Sequence, residues 1–126
     1  TDVVQSSTAG TPVQFQDGGG TQIGTLCRAW VNFNGVTTAT INASFNVSSV
    51  TRNATGNYTV NFTNALTDAN YAVALSSSTL PAGNGGIIGY VVDATTARTS
   101  SLFRMQLLNG ALSVTDSQIV NCIVSR

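Results

Sequence analysis

The 126 residues contain no histidine, no lysine and no glutamate. Without histidine, neither a Ser-His-Asp nor a Cys-His arrangement can be assembled, and the commonest general base and metal ligand is missing. Two cysteines, Cys27 and Cys122, are too few for a structural zinc site and show no CxxC spacing. Charge is scarce: five arginines balance five aspartates for a formal net charge of zero, and charged residues make up 8% of the chain. Phosphate backbones and anionic lipid are recognised through clustered cations, so nucleic acid and membrane surfaces are not expected partners. No apolar run approaches the roughly 20 residues that cross a bilayer, and residues 1–7 lack the basic and apolar parts of a secretory signal. Helix surfaces are usually built from lysine, glutamate, glutamine and alanine. Their scarcity beside abundant threonine, valine and asparagine points to strands.

What is present is apolar and evenly spread. Hydrophobic residues are 42% of the chain, which excludes intrinsic disorder, and this length suits a single core. Residues 1–21, with Pro12 and the triplet Gly18-Gly19-Gly20, are expected to form an arm or one edge strand, and residues 22–126 one sandwich domain. After the arm, apolar residues recur with period two, the pattern of strands with one buried face. The first run sets Cys27, Ala29, Val31 and Phe33 inward and ends at the turn Asn34-Gly35. The second sets Ile41, Ala43, Phe45 and Val47 inward. The third sets Tyr58, Val60 and Phe62 inward and is expected to pair with the second as a hairpin around residues 53–56. The fourth carries Tyr71, Val73 and Leu75. The fifth, residues 87–92, is nearly all apolar and is expected to be buried on both faces. The sixth sets Phe103, Met105 and Leu107 inward and ends at Asn109-Gly110, and the seventh runs through residues 118–124. The expected fold is all-β, an antiparallel, jelly-roll-like sandwich of about seven to eight strands.

Leu26, Trp30, Leu102, Leu108, Ile119 and Ile123 fall on the face opposite the core. Either the register breaks at bulges, or the second face is covered by a neighbouring subunit. On the second view Leu26, Trp30, Leu102 and Leu108 are subunit-interface candidates. The segment Leu80-Pro81-Ala82-Gly83-Asn84-Gly85-Gly86 is the expected exposed loop, since proline fixes one φ and the glycines permit positive φ. Within it Gly83, Asn84, Gly85 and Gly86 are candidates for contact with a receptor.

Chemistry is otherwise sparse. Asp68, Asp93 and Asp116 would have to converge to act as a glycosidase pair, but each sits in a turn-like context where aspartate caps or forms an Asx turn. No calcium-loop pattern surrounds them, so no metal and no cofactor is expected. Cys27 and Cys122 either meet across the core as a disulfide or remain buried thiols, the thiol state being favoured in a reducing compartment. Asn-x-Ser/Thr triplets occur at Asn42, Asn46, Asn53, Asn57 and Asn61. They are the expected by-product of an Asn- and Thr-rich strand face, which solvent, a sugar or a second subunit then meets.

The stretch Cys27-Arg28-Ala29-Trp30-Val31-Asn32-Phe33-Asn34-Gly35, then Ala43-Ser44-Phe45-Asn46-Val47-Ser48-Ser49-Val50, then Thr55-Gly56-Asn57-Tyr58-Thr59-Val60-Asn61-Phe62, resembles a segment of bacteriophage tail-fibre and related virion proteins. The similarity continues through Ala69-Asn70-Tyr71-Ala72-Val73 and covers about half of the chain. The resemblance implies a non-enzymatic C-terminal fibre module, usually a homotrimer, located in the virion and assembled in the bacterial cytoplasm. Its implied partners are copies of itself, other virion proteins, and a glycan or protein of the bacterial surface. A head-fibre or capsid-decoration protein of purely structural role is the alternative.

Overall fold

A computed structural model describes residues 3–6, 8, 9, 13–78, 87–92 and 97–126. The chain is all-β, with no helix among the described residues. Its strands are β1 (Phe15–Gln16), β2 (Gln22–Gly24), β3 (Cys27–Asn34), β4 (Thr40–Phe45), β5 (Val47–Ala54), β6 (Asn57–Phe62), β7 (Ala72–Ser77), β8 (Ile88–Val92), β9 (Leu102–Leu108) and β10 (Val120–Ser125). All pairings are antiparallel. β1 and β2 form a small hairpin that spans position 21. The others make two four-stranded sheets, β4-β3-β10-β7 and β5-β6-β9-β8.

Period two decides which residues line the core. Ala29, Val31 and Phe33 of β3 and Val120, Cys122 and Val124 of β10 face Tyr58, Val60 and Phe62 of β6 and Phe103, Met105 and Leu107 of β9, all buried. Burying a valine, leucine or phenylalanine side chain is worth about 1.5–3 kcal/mol, so these four central strands supply most of the drive to fold. Two aromatic contacts tie the sheets together. Phe33 meets Tyr58 edge-on at 5.2 Å and Phe62 meets Tyr71 edge-on at 5.7 Å, while Phe103 packs beside Phe62 within one sheet at 5.9 Å. Gly89 lets β8 approach the opposite sheet, because a Cβ there would stand 3.2 Å from Leu107 and 3.3 Å from Leu75.

Three sequence expectations are corrected. The second apolar run is two strands: β4 pairs with β3, whereas β5 forms the hairpin with β6. The break falls at Asn46, whose φ of 54° is one of few positive values at a non-glycine residue. Its side chain holds the bend, donating to the carbonyls of Arg28 and Asn64 and accepting from the Asn64 N–H. A register shift opposite Asn32 and Phe33 leaves Asn42 as an extra residue, so Ile41 points inward while Ala43 and Phe45 turn outward. The fifth run is not buried on both faces. It is the sheet-edge strand β8, where nothing among the described residues covers the outer side, and Ile88 and Tyr90 are exposed.

The third correction concerns the cysteines. Both are free, the favoured state, and what is overturned is the burial of Cys27, which is exposed while Cys122 is buried. Cys122 lies opposite Val31 and Cys27 opposite Ser125, so the two are four residues apart along the β3-β10 ladder. At about 3.3 Å per residue that is roughly 13 Å, beyond the span of a disulfide. Burial pushes the Cys122 thiol up to about 12, so its reactive thiolate is suppressed at neutral pH. Native protein is expected to take up one equivalent of iodoacetamide, at Cys27, and urea-unfolded protein two. Mass spectrometry of the intact chain reads the difference, and rapid native labelling of Cys122 would contradict this packing.

Candidate functional site

The outward face of the β4-β3-β10-β7 sheet carries two parallel rows that cross all four strands. Because Trp30 is paired with both Phe45 and Ile123, and Ile123 with Ala74, the first row is apolar from edge to edge. Trp30 is 38% exposed, Ile123 52% and Phe45 55%. The second row is built of amides. Asn42 Nδ2 donates to Asn32 Oδ1 at 2.8 Å, Asn32 Nδ2 to Asn121 Oδ1 at 2.6 Å, and Asn121 Nδ2 to Ser76 Oγ at 3.2 Å. Each amide uses one N–H in this relay and keeps the other for an external acceptor. A shallow depression of about 360 Å³ lies between the rows, lined by Trp30, Asn32, Ser76, Asn121 and Ile123 among others. Along these strands the single charge on the outward side is Arg28, at one end of β3.

Arg28 also stands where the β1-β2 hairpin meets the sandwich. A groove of about 440 Å³ runs beside it, lined by the apolar Val13, Leu26 and Phe45 and by the polar Asn46, Thr63 and Asn64.

A half-buried polar knot occupies the opposite end of β10. Asp116 accepts from Tyr58 Oη at 2.6 Å, from the Gly56 N–H at 2.8 Å, and from Arg52 Nη2 at 2.8 Å and Nε at 3.1 Å. Burial alone would push the Asp116 carboxyl up. The hydrogen bonds from Arg52, Gly56 and Tyr58 outweigh it and hold the group below the usual carboxylate range. Tyr58 is pushed far up, first by burial and then by the adjacent carboxylate. Gly56 is required where it stands: its φ is 64°, and a Cβ would fall 2.6 Å from the Thr115 carbonyl oxygen.

No protein-family model matches the chain, and no curated protein or solved structure matches it.

Asp68 and Asp116 do not form a pair. Asp68 is engaged by Arg126, just past the end of β10, and accepts from the Asn70 N–H in an Asx turn, as its context predicts. Asp116 precedes the start of β10, so the two lie a strand length apart, about 17 Å or more, against the 5–9.5 Å of glycosidase pairs. Asp93 lies outside the described residues. The turn role expected of Asp116 is replaced by the knot, which joins the β5-β6 turn to the segment before β10. Gly83, Asn84, Gly85 and Gly86 also lie outside the described residues.

The interface candidates divide between two surfaces. Leu26 and Trp30 border the outward side of the first sheet, and Leu102 and Leu108 lie half-buried on the outward side of the second. Phe45 and the Arg28 groove escape sequence reasoning. An inward assignment of Phe45 follows from unbroken alternation, and the only local sign of the bulge is the polar Asn42 between Ile41 and Ala43. The sequons show a similar division. Asn42 belongs to the amide row, Asn46 to the bend, and Asn53, Asn57 and Asn61 to the outward side of the second sheet. There Asn53 Nδ2 donates to Asn57 Oδ1 and Thr59 Oγ1, and Asn61 Nδ2 to Ser49 Oγ.

Proposed function

We propose that this chain is a non-catalytic attachment module of a bacteriophage fibre. It works as a homotrimer in which the outward face of the β4-β3-β10-β7 sheet turns toward the three-fold axis. The observation that carries the reading is the row Phe45, Trp30, Ile123 and Ala74, whose axial contact is made by Trp30, Ile123 and Ala74, with Phe45 on the edge strand β4 left open beside it. The row is a continuous apolar stripe across a whole sheet, flanked by amides and free of charge except for Arg28 at its end. A stripe of this kind on a solvent face is a liability for a monomer and an asset for an oligomer. The resemblance of residues 27–73 to virion fibre segments supplies the biological class. Trimeric display multiplies weak individual contacts with a cell surface through avidity. Leu102 and Leu108, on the other sheet, stand outside this axial contact.

Fluorescently labelled protein is expected to adsorb saturably to bacterial cells that the parent virus infects, and unlabelled protein to compete it off. Absence of adsorption by an intact oligomer would remove the attachment role. Co-purification with tailless capsids would then assign the chain to a head fibre or capsid decoration.

A further inference from the structure

The groove beside Arg28 has the chemistry of a binding site for an anion with a hydroxylated, partly apolar body. Its volume, about 440 Å³, is in the range of small-molecule sites, and an adjoining groove of about 220 Å³ meets it at Val13 and Arg28. Among the described residues, the charged side chains lining the two grooves are Arg28 and Arg126, and no aspartate side chain lines either one. Arg126 is engaged by Asp68, whereas Arg28 makes no ion pair with any described residue. Among the described residues, Arg28 is thus the one side-chain charge of these grooves without an ionic partner.

The walls narrow the ligand class. Phe45 and Leu26 present exposed apolar surface suited to the face of a sugar ring. In the same groove, the Thr63 hydroxyl and the Asn64 amide make no side-chain hydrogen bond with the described residues, so both remain available to hydroxyls. The Asn46 side chain is fully used in holding the bend, which fixes the wall on which Thr63 and Asn64 sit. A guanidinium matches a planar carboxylate with two parallel N–H···O bonds.

We propose that this groove binds an acidic sugar, a uronate residue of a cell-surface glycan. The carboxylate lies on Arg28, the ring face on Phe45 and Leu26, and the hydroxyls at Thr63 and Asn64. The choice of a surface glycan rests on the attachment function proposed above, while the carboxylate and ring contacts rest on the groove itself.

Titration with sodium glucuronate, followed by backbone amide NMR shifts, tests it. Saturable shifts are expected at Arg28, Thr63 and Asn64, with glucose and acetate binding at least ten-fold more weakly. Arg28→Gln is expected to weaken glucuronate at least ten-fold while leaving the melting temperature unchanged, because Arg28 has no ion-pair partner among the described residues. Phe45→Ala, at an exposed wall, should weaken it several-fold. Equal affinity for glucose, equal affinity for acetate, or no shift with glucuronate would each overturn the proposal. Solution mass is read on the same sample. An intact oligomer that ignores glucuronate sinks the sugar site alone, and a monomer that binds it sinks self-association alone.

Discussion

Replacing Asp116 with alanine is expected to lower the free energy of unfolding at pH 7 by about 3 kcal/mol, a large share of the total for a domain of this size. Removing the carboxylate leaves the Gly56 N–H without its acceptor, at a turn where neither a side chain nor a new backbone conformation can be fitted. It also frees the Tyr58 hydroxyl, whose remaining neighbour is the Gly35 carbonyl at 3.0 Å. The two segments joined by the knot, residues 52–58 and the stretch around Asp116, are far apart in the chain, so nothing local replaces it. The sign with pH follows from the direction of the shift. The Asp116 carboxyl is held below its unfolded value, near 3.9. Its contribution is therefore fully present above that value and is lost as pH falls through the lower, folded one. Urea unfolding of both proteins should show a gap of about 3 kcal/mol at pH 7 that shrinks below roughly pH 4. A gap that stays constant to pH 2.5 would mean that the ionised carboxylate is not what the knot needs.

A glutamate at Ile123 is expected to convert the proposed trimer to monomers without unfolding them. The Ile123 side chain is about half exposed in the single chain, so the fold loses little of its core, and far-ultraviolet circular dichroism should be unchanged. At the proposed contact a carboxylate would be buried against the same apolar row of the neighbouring subunits, with no cation opposite. An unpaired buried charge costs several kcal/mol, and at 1.4 kcal/mol per factor of ten that weakens association by 100-fold or more. Leu102→Glu, on the outward side of the other sheet, is the control and should leave the mass unchanged. Dissociation by Leu102→Glu but not by Ile123→Glu would transfer the contact to the second sheet.

The parts of this molecule that are legible in the sequence are those where burial and period two coincide. β3, β6, β9 and β10 each alternate cleanly, and every residue expected inward on them is buried except Cys27, at the exposed start of β3. The surplus apolar residues on the far side of β3 and β10 were equally legible: Trp30 and Ile123 are outward because the register is right. What escaped depends on single backbone events. One extra residue at Asn42 reverses the direction of Phe45, and one left-handed residue at Asn46 carries the chain from one sheet to the other, so an apparent long strand becomes two. The residues 87–92 look doubly buried because their composition is apolar, yet composition does not tell an edge strand from a central one. The Arg28 groove is a tertiary feature made where the β1-β2 hairpin meets the sandwich, and no local pattern around Arg28 announces it. Asp116 resembles any turn aspartate until Arg52, Gly56 and Tyr58 are brought to it from another sheet.

Multi-angle light scattering of the unmodified chain on a size-exclusion column tests the central claim most directly. The expected mass is three times the 13.0 kDa of one chain, held on dilution to low micromolar concentration and reduced to a single chain by Ile123→Glu. A mass of one chain at every concentration would contradict the account, leaving the apolar row of Phe45, Trp30 and Ile123 as a surface for some other partner.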